Sequence, residues 1–200
     1  TNTLLLFMTQ TFHRRNLPHL YDELGTYFIT YRLSNSIPLS ALQKLEHSPT
    51  NYDFEIFKKL FLKYDSLLDS SDFGIDYLIN KKIADICKST LHYPNGKDYK
   101  LICYCIMPNH VHLVFRLLAG NSGISKIMKG IKGTSARISN LFLNKTGKFW
   151  QDESYDRLVR NDKELFFIIK YILMNPVKAG LANNWNDWEH TFCDRNYIVL

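Results

Sequence analysis

The chain has 200 residues, 46% hydrophobic and 22% charged, an ordinary composition that can bury one core and argues against a disordered or fibrous protein. No run of about eighteen apolar residues occurs, which excludes a membrane-spanning helix. Leu4 to Met8 is too short for a span and lacks a basic start and a cleavage site, so the expectation is a cytoplasmic protein. A net charge of +6 with a pI near 9.0 leans toward a polyanionic partner.

Residues 1 to about 24 form a basic arm, with His13-Arg14-Arg15 ended by Leu17-Pro18. Tyr27 to Leu33 is aromatic and β-branched and predicts a strand. Leu39 to Leu45 predicts a helix start, and Phe54 to Leu68 carries Phe57, Leu60, Phe61 and Tyr64 at helical spacing. After a polar break at 69–74, Leu78, Ile79, Ile83, Ile86 and Leu91 define the apolar face of another helix. Asn95-Gly96 is the strongest turn signal. Tyr99 to Met107 and the run from His110 then predict two strands paired antiparallel across Pro108-Asn109.

A helix is expected from about Ile124 to Leu143, carrying Lys126, Lys129 and Lys132 at three-residue spacing and weakened by Gly130 and Gly133. Those lysines read either as a solvated face or as a track for phosphates. Phe149 to Arg160 is expected to be extended or a loop, with Asn161-Asp162 capping a helix that ends near Met174. Pro176 biases Asn175 away from the α region. The tail, about 182–200, holds Trp185 and Trp188 and is expected to pack back on a single domain.

The chemistry centres on His110-Val111-His112. Side chains alternate along a strand, so the two imidazoles share one face while Val111, Leu113 and Phe115 take the other. Such a pair is half of a divalent-metal site. Tyr171 and Asn175, four apart, share one helix face; a phenol there would be a nucleophile and the Asn175 amide oxygen a third ligand. Mixed imidazole and oxygen ligation suits Mg²⁺ or Mn²⁺. A zinc site of Cys103, Cys105, His110 and His112 is a rival reading. Otherwise Cys87, Cys103, Cys105 and Cys193 are expected to be buried thiols, since they form no C-x-x-C pair.

Met107-Pro108-Asn109-His110-Val111-His112-Leu113-Val114 resembles the HUH signature (His, bulky hydrophobic, His) of the single-tyrosine transposases. Phe149-Trp150-Gln151, Tyr155 to Arg160, and Tyr171 to Leu181 are similar to the downstream signature of the REP-associated tyrosine transposases. The resemblance covers roughly residues 12 to 190. It implies an α+β, ferredoxin-like (RRM-like) HUH nuclease core, with an antiparallel sheet and helices packed on it. It implies metal-dependent cleavage of single-stranded DNA at the foot of REP-like hairpins, through a 5′-phosphotyrosine that can be rejoined to another strand.

The family's nucleophile falls on Tyr171 and its metal ligands on His110, His112 and Asn175; Tyr155, in the other matching stretch, is the competing tyrosine. Beside the resemblance, Arg14, Arg15, Lys126, Lys129, Lys132, Arg157 and Arg160 become candidate phosphate contacts, and Trp150 and Tyr155 candidate stacking platforms. The resemblance leaves monomer and homodimer open. A domesticated hairpin-binding protein that no longer cleaves is the alternative.

Overall fold

The structure is a computed structural model that describes residues 22–37, 54–69 and 75–198. Its elements in chain order are β1 (Thr26–Arg32), α1 (Phe54–Asp69), α2 (Lys81–His92), β2 (Tyr99–Ile106), β3 (His110–Leu117), α3 (Ile124–Phe142), β4 (Tyr155–Val159), α4 (Asp162–Lys178) and β5 (Thr191–Cys193). The strands make one antiparallel sheet in the order β4-β1-β3-β2-β5. Strands β1 to β4 with α2 and α3 form the ferredoxin-like β-α-β-β-α-β unit. Helix α1 is an addition between β1 and α2, and β5 is an extra strand on the β2 edge.

Alternation along the strands decides the layers. Tyr27, Ile29 and Tyr31 of β1 and Val111, Leu113 and Phe115 of β3 face α2 and α3, where Ile83, Cys87, Leu91, Ile127 and Ile131 meet them. Phe28 and Val114 face the opposite way, against Phe57 and Phe61 of α1 and Leu165, Ile168 and Ile172 of α4. The sheet is thus covered on both faces, which is why its strands read as nearly continuous apolar runs. A bulge between Leu101 and Cys103 shifts the alternation within β2, so Tyr99, Leu101, Tyr104 and Ile106 all reach the α2–α3 layer.

The expected hairpin forms across Pro108-Asn109, with Met107 N donating to His110 O at 2.9 Å. The 149–160 stretch resolves into β4, paired to β1 from Thr26↔Val159 to Thr30↔Tyr155. The helix expected to include Leu78 and Ile79 starts later: Tyr77–Ile79 is a 3₁₀ turn, and the Asn80 side chain caps α2 by accepting from Lys82 N. Ile79 is consequently exposed and Ile86 only half-buried. The tail does pack back, through β5 and through Trp188 Nε1, which donates to Ile106 O at 3.0 Å. The basic arm with Arg14 and Arg15 and the helix start at 39–45 lie outside the described residues.

One expectation is overturned. Helix α4 does not stop before Pro176 but runs on to Lys178. The proline removes one N–H, yet it falls in the last turn, where buried Asn175 and Pro176, with Ile172 and Leu173 one turn before, pin the helix to the sheet. Ala179 N to Asn175 O at 2.9 Å and Leu181 N to Pro176 O at 2.8 Å close the end, and Gly180 takes the positive φ (69°) of the reversal. Asn175 is therefore held in helical geometry one turn after Tyr171.

Two changes test this scaffold. Leu113 is fully buried on the α2–α3 face of the histidine strand, and Leu113→Ala is expected to destabilise by about 2–5 kcal/mol in urea unfolding. Asn161 caps α4 by accepting from Glu164 N at 2.9 Å, so Asn161→Ala should cost about 1 kcal/mol in the same measurement.

Candidate functional site

Strand alternation puts His110 and His112 on the α1–α4 face, 3.0 Å apart between their Nε2 atoms. Each imidazole is oriented by its other nitrogen. Asn109 Nδ2 donates to Leu68 O at 2.8 Å, which leaves Asn109 Oδ1 to accept from His110 Nδ1–H at 2.6 Å. His110 Nε2 therefore carries the lone pair. Thr30 Oγ1, across the β1–β3 register, lies 2.8 Å from His112 Nδ1 and can accept its proton, turning the His112 Nε2 lone pair to the same point.

Two further side chains converge there. Asp65, from α1, places Oδ1 3.2 Å from His112 Nε2 and 3.8 Å from His110 Nε2. Asn175, from α4, lies 3.0 Å from His112 Nε2 through its amide nitrogen. Asp65 Oδ1 and Asn175 Oδ1 are both buried with no hydrogen-bond donor. An orphaned carboxylate oxygen, Asp65 Oδ1, facing a pair of imidazole nitrogens is an arrangement that a cation satisfies, and Asp65, His110 and His112 form a group able to hold a metal ion. Rotation of the Asn175 amide exchanges its oxygen and nitrogen, which would add a fourth donor.

Tyr171 sits in the same cluster. Its hydroxyl donates to Asp65 Oδ2, and its ring lies 6.1 Å from that of His112. The phenol is thus on the histidine face of the sheet and within the same chain. Burial, followed by the charge and hydrogen bond of Asp65, pushes the Tyr171 phenol well above its ordinary range. Burial alone would raise the Asp65 carboxyl, but the His112 and His110 imidazoles and the Tyr171 hydroxyl outweigh it and hold it below the usual carboxylate range. In this closed arrangement the phenol keeps its proton and the carboxylate its charge.

The other sequence candidates scatter. Tyr155, on β4, is half-buried and stacks on Tyr64 and Phe57 of α1 (ring centroids 5.9 and 6.3 Å), near the cluster but not in it. Arg160 is exposed just beyond β4. Lys126 and Lys129 are exposed on α3, on the far side of the sheet from Tyr171. Three candidates are committed to structure. Lys132 Nζ donates to Gln151 O (2.7 Å), Asp152 O (2.9 Å) and Ser154 Oγ (3.2 Å), tying α3 to the loop before β4. Trp150 is buried and donates to Ser135 Oγ at 2.9 Å, leaving no open face for a base. Arg157 pairs with buried Glu164 and lies 4.0 Å over the Phe57 ring.

The cysteine reading is not supported by the geometry: Cys103 and Cys105 are not part of the metal-competent group, and Cys105 Sγ lies 3.6 Å from Met107 Sδ within the apolar layer. Asp65 was missed. Its signal was present, since it falls eight residues after Phe57 and four after Phe61 on the apolar stripe of α1, where a charged side chain must find a buried partner.

Residues 76–175, half of the chain, match the family described as "Transposase IS200 like". The chain belongs to that family. It is 26% identical over 114 residues to a protein assigned as a REP-associated tyrosine transposase in Haemophilus influenzae, covering 52% of this chain and 62% of that one. It is 25% identical over 92 residues to the REP-associated tyrosine transposase of Escherichia coli K12, covering 46% and 53%. The matches thus span less than two thirds of either relative. In fold, the chain is similar to a solved REP-associated tyrosine transposase bound to a REP hairpin, with a TM-score of 0.54 at 18% identity over 88% of this chain and 81% of that one. Among the described residues no helix is long and apolar enough to cross a membrane. Both α1 and its Asp65 precede the segment matched to the IS200-like family.

Burial, and then the neighbouring His112, drive the His110 imidazole down to about 3 from an ordinary 6.5. Between those values the unfolded chain binds a proton that the folded chain refuses, so acid weakens folding across this window, by at most about 1.4 kcal/mol per pH unit for one such group. Urea midpoints measured from pH 7 to pH 4.5 should therefore fall, and His110→Gln should flatten that slope.

Proposed function

We propose that the chain is a metal-dependent transposase and endonuclease that nicks single-stranded DNA beside a hairpin, using Tyr171 as the nucleophile. The observation that carries this reading is the position of the Tyr171 hydroxyl inside the cluster of His110, His112, Asp65 and Asn175, on one chain. No second copy is needed to complete the site. The hairpin substrate class is supported by the fold relative whose structure contains a REP hairpin, and the net charge of +6 suits a polyanion. The enzyme would then work in the cytoplasm, on nucleoid DNA.

In this reading His110, His112 and Asn175 hold a divalent ion, Mg²⁺ or Mn²⁺, with Asp65 as an additional oxygen in the closed form. Such an ion, held by these residues, would polarise the phosphodiester and offset charge on it and on the leaving oxygen. Thr30 and Asn109 fix the imidazole tautomers. Helix α4 delivers Tyr171 and Asn175 from adjacent turns, so nucleophile and ligand keep their spacing. The phenol oxygen, losing its proton, bonds to phosphorus as the bond to the 3′ oxygen breaks and that oxygen takes up a proton. The products are a 5′-phosphotyrosine and a free 3′-OH, and reversal with another 3′-OH rejoins strands. Neither a nucleotide cofactor nor water enters the cleavage step. Arg160 and, outside the described residues, Arg14 and Arg15 are the proposed phosphate contacts. Lys126 and Lys129 would serve only DNA that reaches the opposite face.

One observation favours the non-cleaving alternative, the complete burial of the site, and a covalent product decides between the two. With Mn²⁺ or Mg²⁺, the protein should nick a hairpin-bearing single strand and migrate with it through a denaturing gel. Tyr171→Phe should abolish the covalent band while the native gel shift persists; a covalent band in that variant would remove Tyr171 from the role. His112→Ala should weaken Mn²⁺ binding, measured by titration calorimetry, by at least about tenfold.

A further inference from the structure

The proposed site is shut. His110, His112, Asp65 and Asn175 are each no more than 1% exposed, so no phosphodiester can reach the imidazoles while α1 lies where it does. The side chains by which α1 closes the site match, group for group, what a DNA strand would bring. Asp65 puts one carboxylate oxygen against Tyr171 and the other against the imidazoles. Asp69, one turn later, pairs with Lys178 at 3.1 Å. Lys178 follows Tyr171 by two turns on α4, and its ammonium lies 5.5 Å from the Tyr171 ring centroid. Two carboxylates on successive turns thus occupy the nucleophile and the cation beside it, as successive phosphates would.

The rings of α1 take the places of bases. Phe61 meets Tyr171 edge-on at 5.0 Å, and Tyr64 and Phe57 stack on Tyr155 with interplanar angles of 23° and 28°. Aromatic side chains on such a face are platforms for unpaired bases. Helix α1 belongs neither to the ferredoxin-like unit nor to the segment shared with the IS200-like family (residues 76–175), so its removal from the sheet leaves that core whole.

We propose that α1 is an internal competitor of the DNA strand: Asp65 stands in the place of the scissile phosphate, Asp69 in that of its neighbour on Lys178, and strand entry requires α1 to leave. This rests on the reading of the site as one for single-stranded DNA. Lys178 then becomes a phosphate-binding residue beside the nucleophile, and the fraction of open molecules scales the apparent affinity for the strand.

Asp69→Asn tests the idea, because it loosens the cover without touching a proposed metal donor. Without DNA, diethyl pyrocarbonate should modify His110 and His112 faster in Asp69→Asn than in the native protein, at a rate set by hydrogen exchange of α1. Equal rates in the two proteins, or modification faster than that exchange, would overturn the cover. With Mn²⁺ and a hairpin-bearing single strand, α1 amides should lose protection on binding, and Asp69→Asn should bind the strand severalfold more tightly. Retained protection of α1 in the bound complex, or unchanged affinity, would overturn the competition. If neither protein binds the strand, the proposed function fails, and the imidazole reactivities still decide whether α1 is a cover.

Discussion

A carboxylate with no solvent around it is expensive unless it is fully partnered, since the effective penalty is several kcal/mol per ion. Asp65 meets that demand only on one side: Oδ2 accepts from the Tyr171 hydroxyl and from Asn175 Nδ2, while Oδ1 faces the two imidazole nitrogens without a donor. The contact fixes three things together. It sets where α1 rests on the sheet, it holds the proton on Tyr171, and it closes the space in front of His110 and His112. Removing any partner would leave a buried charge unmatched, so the position of α1 and the state of the site are energetically one problem.

Around that contact the packing is apolar and largely aromatic. Phe28, Phe57, Phe61, Tyr155 and Tyr171 form a continuous set of ring contacts between sheet and helices. Rings in such contacts add a modest preference for particular angles to the area they bury. The two faces differ in what they carry: the α2–α3 face is apolar core, and the α1–α4 face holds the histidines, Asp65 and Tyr171.

The sheet also divides the molecule's charge. The exposed lysines of α3 lie on the α2–α3 side, whereas Lys178 belongs to α4, which carries Tyr171 and Asn175. Sequence spacing alone made Lys126, Lys129 and Lys132 look equivalent. In the fold the first two are solvated and the third is spent on three acceptors of the loop before β4. Trp150 and Arg157 show the same limit, because whether an indole or a guanidinium is free depends on partners supplied by distant elements such as Ser135 and Glu164.

What the sequence determined by itself was everything with a local period. The alternation of the histidine strand put His110 and His112 on one side, the four-residue interval put Tyr171 above Asn175, and Pro108-Asn109 set the hairpin between two strands. Those follow from backbone geometry that a few residues fix. The tertiary structure alone decided that α4 continues through Pro176, because burial of its last turn outweighs one missing hydrogen bond. It alone brought Asp65 across more than forty residues of chain to the imidazoles, and Asp69 to Lys178. An acid on an apolar stripe announces that it needs a partner, but only the packing of one helix over another can say which one it finds.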